Sequence, residues 1–156
     1  MERSRAVIIA IAADHAGRPL LDKIVDVLKA DGHEPLLVGP AAGDPQDDYP
    51  DVAQAVGAAV LDGSAERGIA LCGSGAGVAV AATKMHGIRA SVAHDTYTAH
   101  QMVEHDSINV LTIGARVIGS EVAGEIVAAF ARATFSGEDR HVRRLAKVAA
   151  IEANGR

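Results

Sequence analysis

Residues 68–77 read Gly68-Ile69-Ala70-Leu71-Cys72-Gly73-Ser74-Gly75-Ala76-Gly77. Five residues, apolar almost throughout, run into a turn made largely of glycine. The Ala-rich stretch Ala76–Met85 follows. A short apolar run bounded by glycine reads as a buried strand, and the stretch behind it as a helix. A β-turn-α unit of this kind belongs to a parallel sheet covered on both faces.

The same unit recurs on either side. Val7–Ala13, Glu34–Val38, Arg89–Ala93 and Asn109–Ile113 are further strand candidates of five to seven residues. Helical stretches separate them. Arg18–Ala30 carries Leu20, Leu21, Ile24, Val27 and Leu28 at helical spacing and stops at Asp31-Gly32. Pro50–Leu61 has proline in its first turn and Asp62-Gly63 behind it. Asp95–Glu104, Ser120–Ala133 and Arg140–Glu152 complete the set. Five β–α repeats predict an α/β domain built on a five-stranded parallel sheet, with right-handed crossovers placing helices on both faces. A closed barrel needs eight such units. The last helix has no strand after it and is free to cap an edge or reach a partner.

The chain has 156 residues, the length of one domain. No linker, repeat or low-complexity tract divides it. Gly39–Tyr49, with Pro40, Gly43, Pro45 and three aspartates, reads as a surface loop. Formal net charge is −5, which disfavours a nucleic-acid partner. The single cysteine excludes an internal disulfide framework. Two Tyr, two Phe and no Trp leave little for base stacking. No apolar run reaches the roughly 20 residues of a membrane span. Arg3 and Arg5 before Ala6–Ala13 have the outline of a signal peptide, but Asp14 and His15 end the run, so a buried first strand is the reading and the cytoplasm the expected location.

Ligands of open α/β sheets bind at the carboxyl ends of the strands. Asp14 and His15 follow the first candidate strand, Cys72–Gly77 the third, His94 and Asp95 the fourth, and Gly114, Ala115 and Arg116 the fifth. Glycines let backbone N–H groups approach an anion, the helix N-terminus adds positive potential, and both favour a thiolate at Cys72. The bland alternative is a tight turn around an inert cysteine. Gly-Ser-Gly-Ala-Gly is not the dinucleotide fingerprint and follows the wrong strand, so no nicotinamide cofactor is expected. His94, His100 and His105 lack the spacing of a zinc helix. His33 and His86 read as turn residues. Arg140 and Arg144 share one helical face and suit a phosphate, although isolated basic faces are more often simply solvated.

Taken in order, Asp14-His15-Ala16-Gly17, Cys72–Gly77, Ala81–Lys84 with Gly87-Ile88-Arg89-Ala90, and His105 followed by Asn109-Val110-Leu111 resemble ribose-5-phosphate isomerase type B and its galactose-6-phosphate isomerase relatives. The resemblance implies a Rossmann-like three-layer α/β/α sandwich and a metal-independent aldose–ketose isomerase needing no cofactor. It implies a homodimer or dimer of dimers whose active sites are shared between subunits, with the helix at about 140–153 reaching the partner. By position it makes Cys72 the base, His105 the acid that opens the sugar ring, and Ser74 a hydroxyl aiding the enediolate with the backbone of Gly73, Gly75, Ala76 and Gly77. Asp14, His15 and Tyr49 would contact the sugar, and Arg116, Arg140 and Arg144 its phosphate. Asp106 stands where many relatives carry Asn and would bind substrate by accepting from its hydroxyls, and Ser74 stands where many carry Thr. The expected reaction is ribose 5-phosphate to ribulose 5-phosphate. Tetrose or hexose phosphates, or a non-catalytic binding subunit, are the alternatives.

Overall fold

The computed structural model describes residues 5–44 and 47–155; Arg3 and Pro45 lie outside them. Five strands, β1 (Ile8–Ala13), β2 (Glu34–Leu37), β3 (Arg67–Cys72), β4 (Ala90–Val92) and β5 (Val110–Gly114), form one parallel sheet in the order β2-β1-β3-β5-β4. Six α-helices accompany them: α1 (Leu21–Ala30), α2 (Tyr49–Leu61), α3 (Ala76–Thr83), α4 (Thr96–Asp106), α5 (Ser120–Arg132) and α6 (Asp139–Asn154). This is the expected three-layer α/β/α architecture.

Alternation along the central strands sorts the two layers. In β3, Ile69 and Leu71 enter the larger core with Ile9, Ile11, Leu111 and Ile113, beneath α1, α4 and α5. Ala70 and Cys72 turn the other way, with Ala12 and Val110, beneath α2 and α3. Gly68 lies on that second face, where an added Cβ would run into Val56. Small residues there let α2 and α3 sit close to the sheet, and they aim Cys72 toward that layer.

Three expectations need correction. The stretch Arg18–Ala30 is not one helix: Arg18–Leu20 is a 3-10 turn with Pro19 in it, and the α-helix begins at Leu21. Proline offers no N–H to an α-helical ladder, so the regular helix starts behind it. The strands are not all buried on both faces. β2 and β4 form the two edges, with Leu37 59% exposed and all of β4 half-buried. His33 is no exposed turn residue. It is buried, and its Nδ1 accepts the amide of Val7 at 3.3 Å.

β1 and β3 are neighbours, but the chain leaves them in opposite directions, to β2 on one side and to β4 on the far edge. That makes a topological switch point, and the crevice outside the ends of β1 and β3 is where a ligand is expected.

Candidate active site

Ala13 pairs with Leu71 and Cys72 with Gly114, so β1, β3 and β5 end side by side. Asp14 continues the ladder by donating its amide to Leu71 O at 3.1 Å. Its buried carboxylate accepts the Gly17 amide at 2.8 Å and closes the turn after β1.

The loop after β3 is held from inside. Gly75 adopts φ +80°, a left-handed conformation that a side chain would strain. Its N–H donates to Cys72 Sγ at 3.1 Å, and its carbonyl accepts the hydroxyl of the fully buried Thr112 at 2.8 Å. Gly114 presses on the loop from β5: a Cβ there would overlap the backbone of Ser74. The Gly114 amide donates to His94 Nε2 at 3.0 Å. The Ala76 amide donates to Ser74 Oγ at 3.2 Å. The amides of Gly75 and Ala76, expected to face substrate, are thus engaged within the loop. Gly73, Ser74 and Gly77 face the pocket.

That pocket has a volume of about 470 Å³, within the usual range for small-molecule sites. Asp14, His15, Tyr49, Cys72 and Arg116 line it with the loop. Tyr49 opens α2 and lies against Gly77, where an added Cβ would sit 3.0 Å from its ring. Arg116 lies beside Gly73. Cys72 Sγ is buried under the loop and accepts an N–H at the head of α3. A larger cleft of about 570 Å³ lies between α1 and α5, but both its cations are paired, Lys23 with Glu121 at 2.9 Å and Arg132 with Asp31 at 2.5 Å.

Six predicted site residues do not line the pocket: Gly75 and Ala76 of the loop, and His105, Asp106, Arg140 and Arg144 beyond it. His105 and Asp106 end α4, and Arg140 and Arg144 lie on α6. Asp106 and Arg144 border a separate groove of about 420 Å³, with Leu145, Val148 and Ile151 along it. Arg140 pairs with Glu138 at 2.8 Å. His105 accepts at Nδ1 from Gln101 Nε2 at 2.9 Å and stacks on the buried His141. Burial lowers the pKa of His141, and His105, Arg140 and Arg144 lower it further against Glu138.

Two residues near these sites escaped sequence reasoning. Asp47 was one of three aspartates in a loop, yet it is buried and bonds His15 Nδ1 at 3.0 Å. His141 stands in the sequence among Arg140, Arg143 and Arg144, yet it is 1% exposed. No composition signal separates either from its neighbours. Among the described residues, no three His, Cys, Asp or Glu side chains group as a metal-binding set, and no helix is long and apolar enough to cross a membrane.

Residues 9–148 match the Ribose/Galactose Isomerase family. The chain belongs to that family. It is 43% identical over 132 residues to D-erythrulose-4-phosphate isomerase of Pectobacterium atrosepticum, covering 83% of this chain and 85% of the relative. It is 40% identical over 144 residues to ribose-5-phosphate isomerase B of Escherichia coli, covering 92% and 95%. The type B ribose 5-phosphate isomerase of Trypanosoma brucei superposes with a TM-score of 0.87 at 40% identity, covering 94% of this chain and 99% of that one. The protein is a sugar-phosphate isomerase of this family.

Proposed function

We propose that the protein interconverts ribose 5-phosphate and ribulose 5-phosphate through a cis-enediolate, without a metal ion, and that Cys72 is the base. The observation that carries this reading is the sulfur of Cys72 at the pocket, held by the Gly75 amide at the head of α3. The thiolate takes the proton from C2 of the open-chain aldose. The C–H pair becomes the C1–C2 double bond, and the carbonyl pair moves onto O1. Donors at Gly73, Ser74 and Gly77 meet the charge that develops there. Returning the proton to C1, with the O2 proton passing to O1, gives the ketose. Arg116 draws the phosphate and so positions the reacting carbons.

The site is completed by a second copy of the chain. His105, Asp106, Arg140 and Arg144 stand outside the pocket of their own chain. α6 exposes Val142, Val148 and Ile151, and among its described residues only His141 is buried. An apolar stripe left bare on a 16-residue helix calls for a partner. A second copy docked through it brings His105 as the ring-opening acid and Arg140 and Arg144 as phosphate ligands.

A tetrose phosphate is the second reading, favoured by the 43% identity to an erythrulose-4-phosphate isomerase. Incubation with four-, five- and six-carbon aldose and ketose phosphates, in the presence of a chelator, separates the two. The pentose pair is expected to have the highest kcat/KM. A faster tetrose phosphate replaces the substrate assignment, and activity lost to the chelator overturns metal independence.

A further inference from the structure

The loop between β2 and α2 holds a buried carboxylate, Asp47, that the isomerisation itself does not use. The side chain of Asp47 is 6% exposed, whereas residues 41–44 and Asp48 around it are exposed. A buried carboxylate is tolerated only with partners, so its partners define its role. Oδ1 lies 3.0 Å from His15 Nδ1, and Oδ2 lies 3.7 Å from the Arg18 guanidinium. Arg18 also donates to Pro40 O at 3.1 Å and to Ala41 O at 2.9 Å, tying the loop to the turn after β1. Asp47 does not line the pocket, but His15 does.

We propose that Asp47 is a positioning residue for substrate binding: it takes the Nδ1–H of His15, fixes the tautomer and turn of that ring, and leaves Nε2 to meet the oxygens of the sugar phosphate. An ionised carboxylate only accepts, so the facing nitrogen carries the proton. The hydrogen bond at one ring nitrogen sets the state of the other. Neutral His15 then presents a lone pair at Nε2 to a sugar hydroxyl, and protonated His15 presents an N–H to phosphate. The same nitrogen faces the ligand in both states. The His15 side chain is 72% exposed, and a ring so open would otherwise lose rotamer freedom on binding. Asp47 removes that loss beforehand. The identity of the ligand rests on the isomerase reading; the state of the ring does not.

The test is ¹⁵N NMR of histidine-labelled protein, with the His15 signals assigned by their loss in His15→Gln. In the wild type, His15 is expected to carry a proton on Nδ1. Asp47→Ala releases the ring to mixed tautomers and raises KM for the sugar phosphate by about tenfold, with kcat within about twofold. Asp47→Asn keeps an acceptor and retains part of both effects. A wild-type His15 protonated at Nε2 alone overturns the proposal, and this needs no variant to fold. A raised KM with an unchanged tautomer assigns Asp47 to bracing the loop through Arg18 and also overturns it. If no sugar phosphate is converted by the wild type while the tautomer shifts as stated, the isomerase reading fails and the positioning of His15 stands.

Discussion

The imidazole of His105 lies on that of His141, with ring centroids 4.2 Å apart and planes 26° from parallel. The two rings are not equivalent. His105 is half-buried at the end of α4, whereas His141 is enclosed, with Nδ1 2.6 Å from Ser136 Oγ. Burial lowers the pKa of His141 and so favours the neutral form of the ring that His105 covers.

Both buried histidines make the fold acid-sensitive. The pKa of His33 is lowered, first by burial and then by Arg67 and Arg132, against the pull of Asp31. The pKa of His141 is lowered in the same direction. A group whose folded pKa lies below its ordinary value of 6.5 binds a proton more readily when unfolded. Its contribution is therefore present above pH 6.5 and lost as pH falls through the folded value. Urea unfolding followed by circular dichroism is expected to show stability falling below that point. His141→Phe, which keeps a stacked ring without titration, is expected to flatten the fall. An identical slope in the variant contradicts this account of His141.

Cys72→Ser retains shape and removes the thiolate. Turnover is expected to fall by about a thousandfold, the usual scale of a lost general base, while KM changes little. Steady-state kinetics with ribose 5-phosphate checks it, and alkylation of the wild type with iodoacetamide is expected to match.

Gly114→Ala tests the packing behind the loop. A methyl group at Gly114 overlaps the Ser74 backbone, so either β5 or the loop must move. A destabilisation of about 2 kcal/mol is expected, together with lost turnover. Turnover kept at wild-type level shows that the loop does not depend on β5.

Val148→Asp and Ile151→Asp place charge on the bare stripe of α6. Light scattering is expected to show a dimer or larger assembly for the wild type and a monomer for the double variant. Mixing inactive Cys72→Ala with inactive His105→Asn is expected to restore part of the activity, because one of the two sites in a mixed dimer is then intact. A monomeric, active wild type refutes the shared site.

The parts of the fold that could be read from the chain are those where burial is uniform. β1, β3 and β5 form the middle of the sheet, and their continuous apolar runs announce it. β2 and β4 are edges, so their patterns are mixed and their ends lie inside the stretches expected for them. Cys72, Asp14 and the glycine loop stand at strand ends, where ligands are expected, and the structure gathers them around one pocket. Asp47 was not. Asp44, Asp47 and Asp48 look alike in the chain, and only the approach of His15 and Arg18 selects one of them for burial. His141 was hidden for a related reason, since Ser136 and His105 reach it from a loop and another helix.

Proton transfer by Cys72 is tested most directly by following ribose 5-phosphate in D₂O by NMR, with the wild type and Cys72→Ala side by side. The account predicts ribulose 5-phosphate carrying deuterium at C1 with the wild type, and neither conversion nor exchange with the variant. Product formed at a comparable rate by Cys72→Ala, or no deuterium uptake by the wild type from solvent or at C2 of recovered substrate, would contradict it.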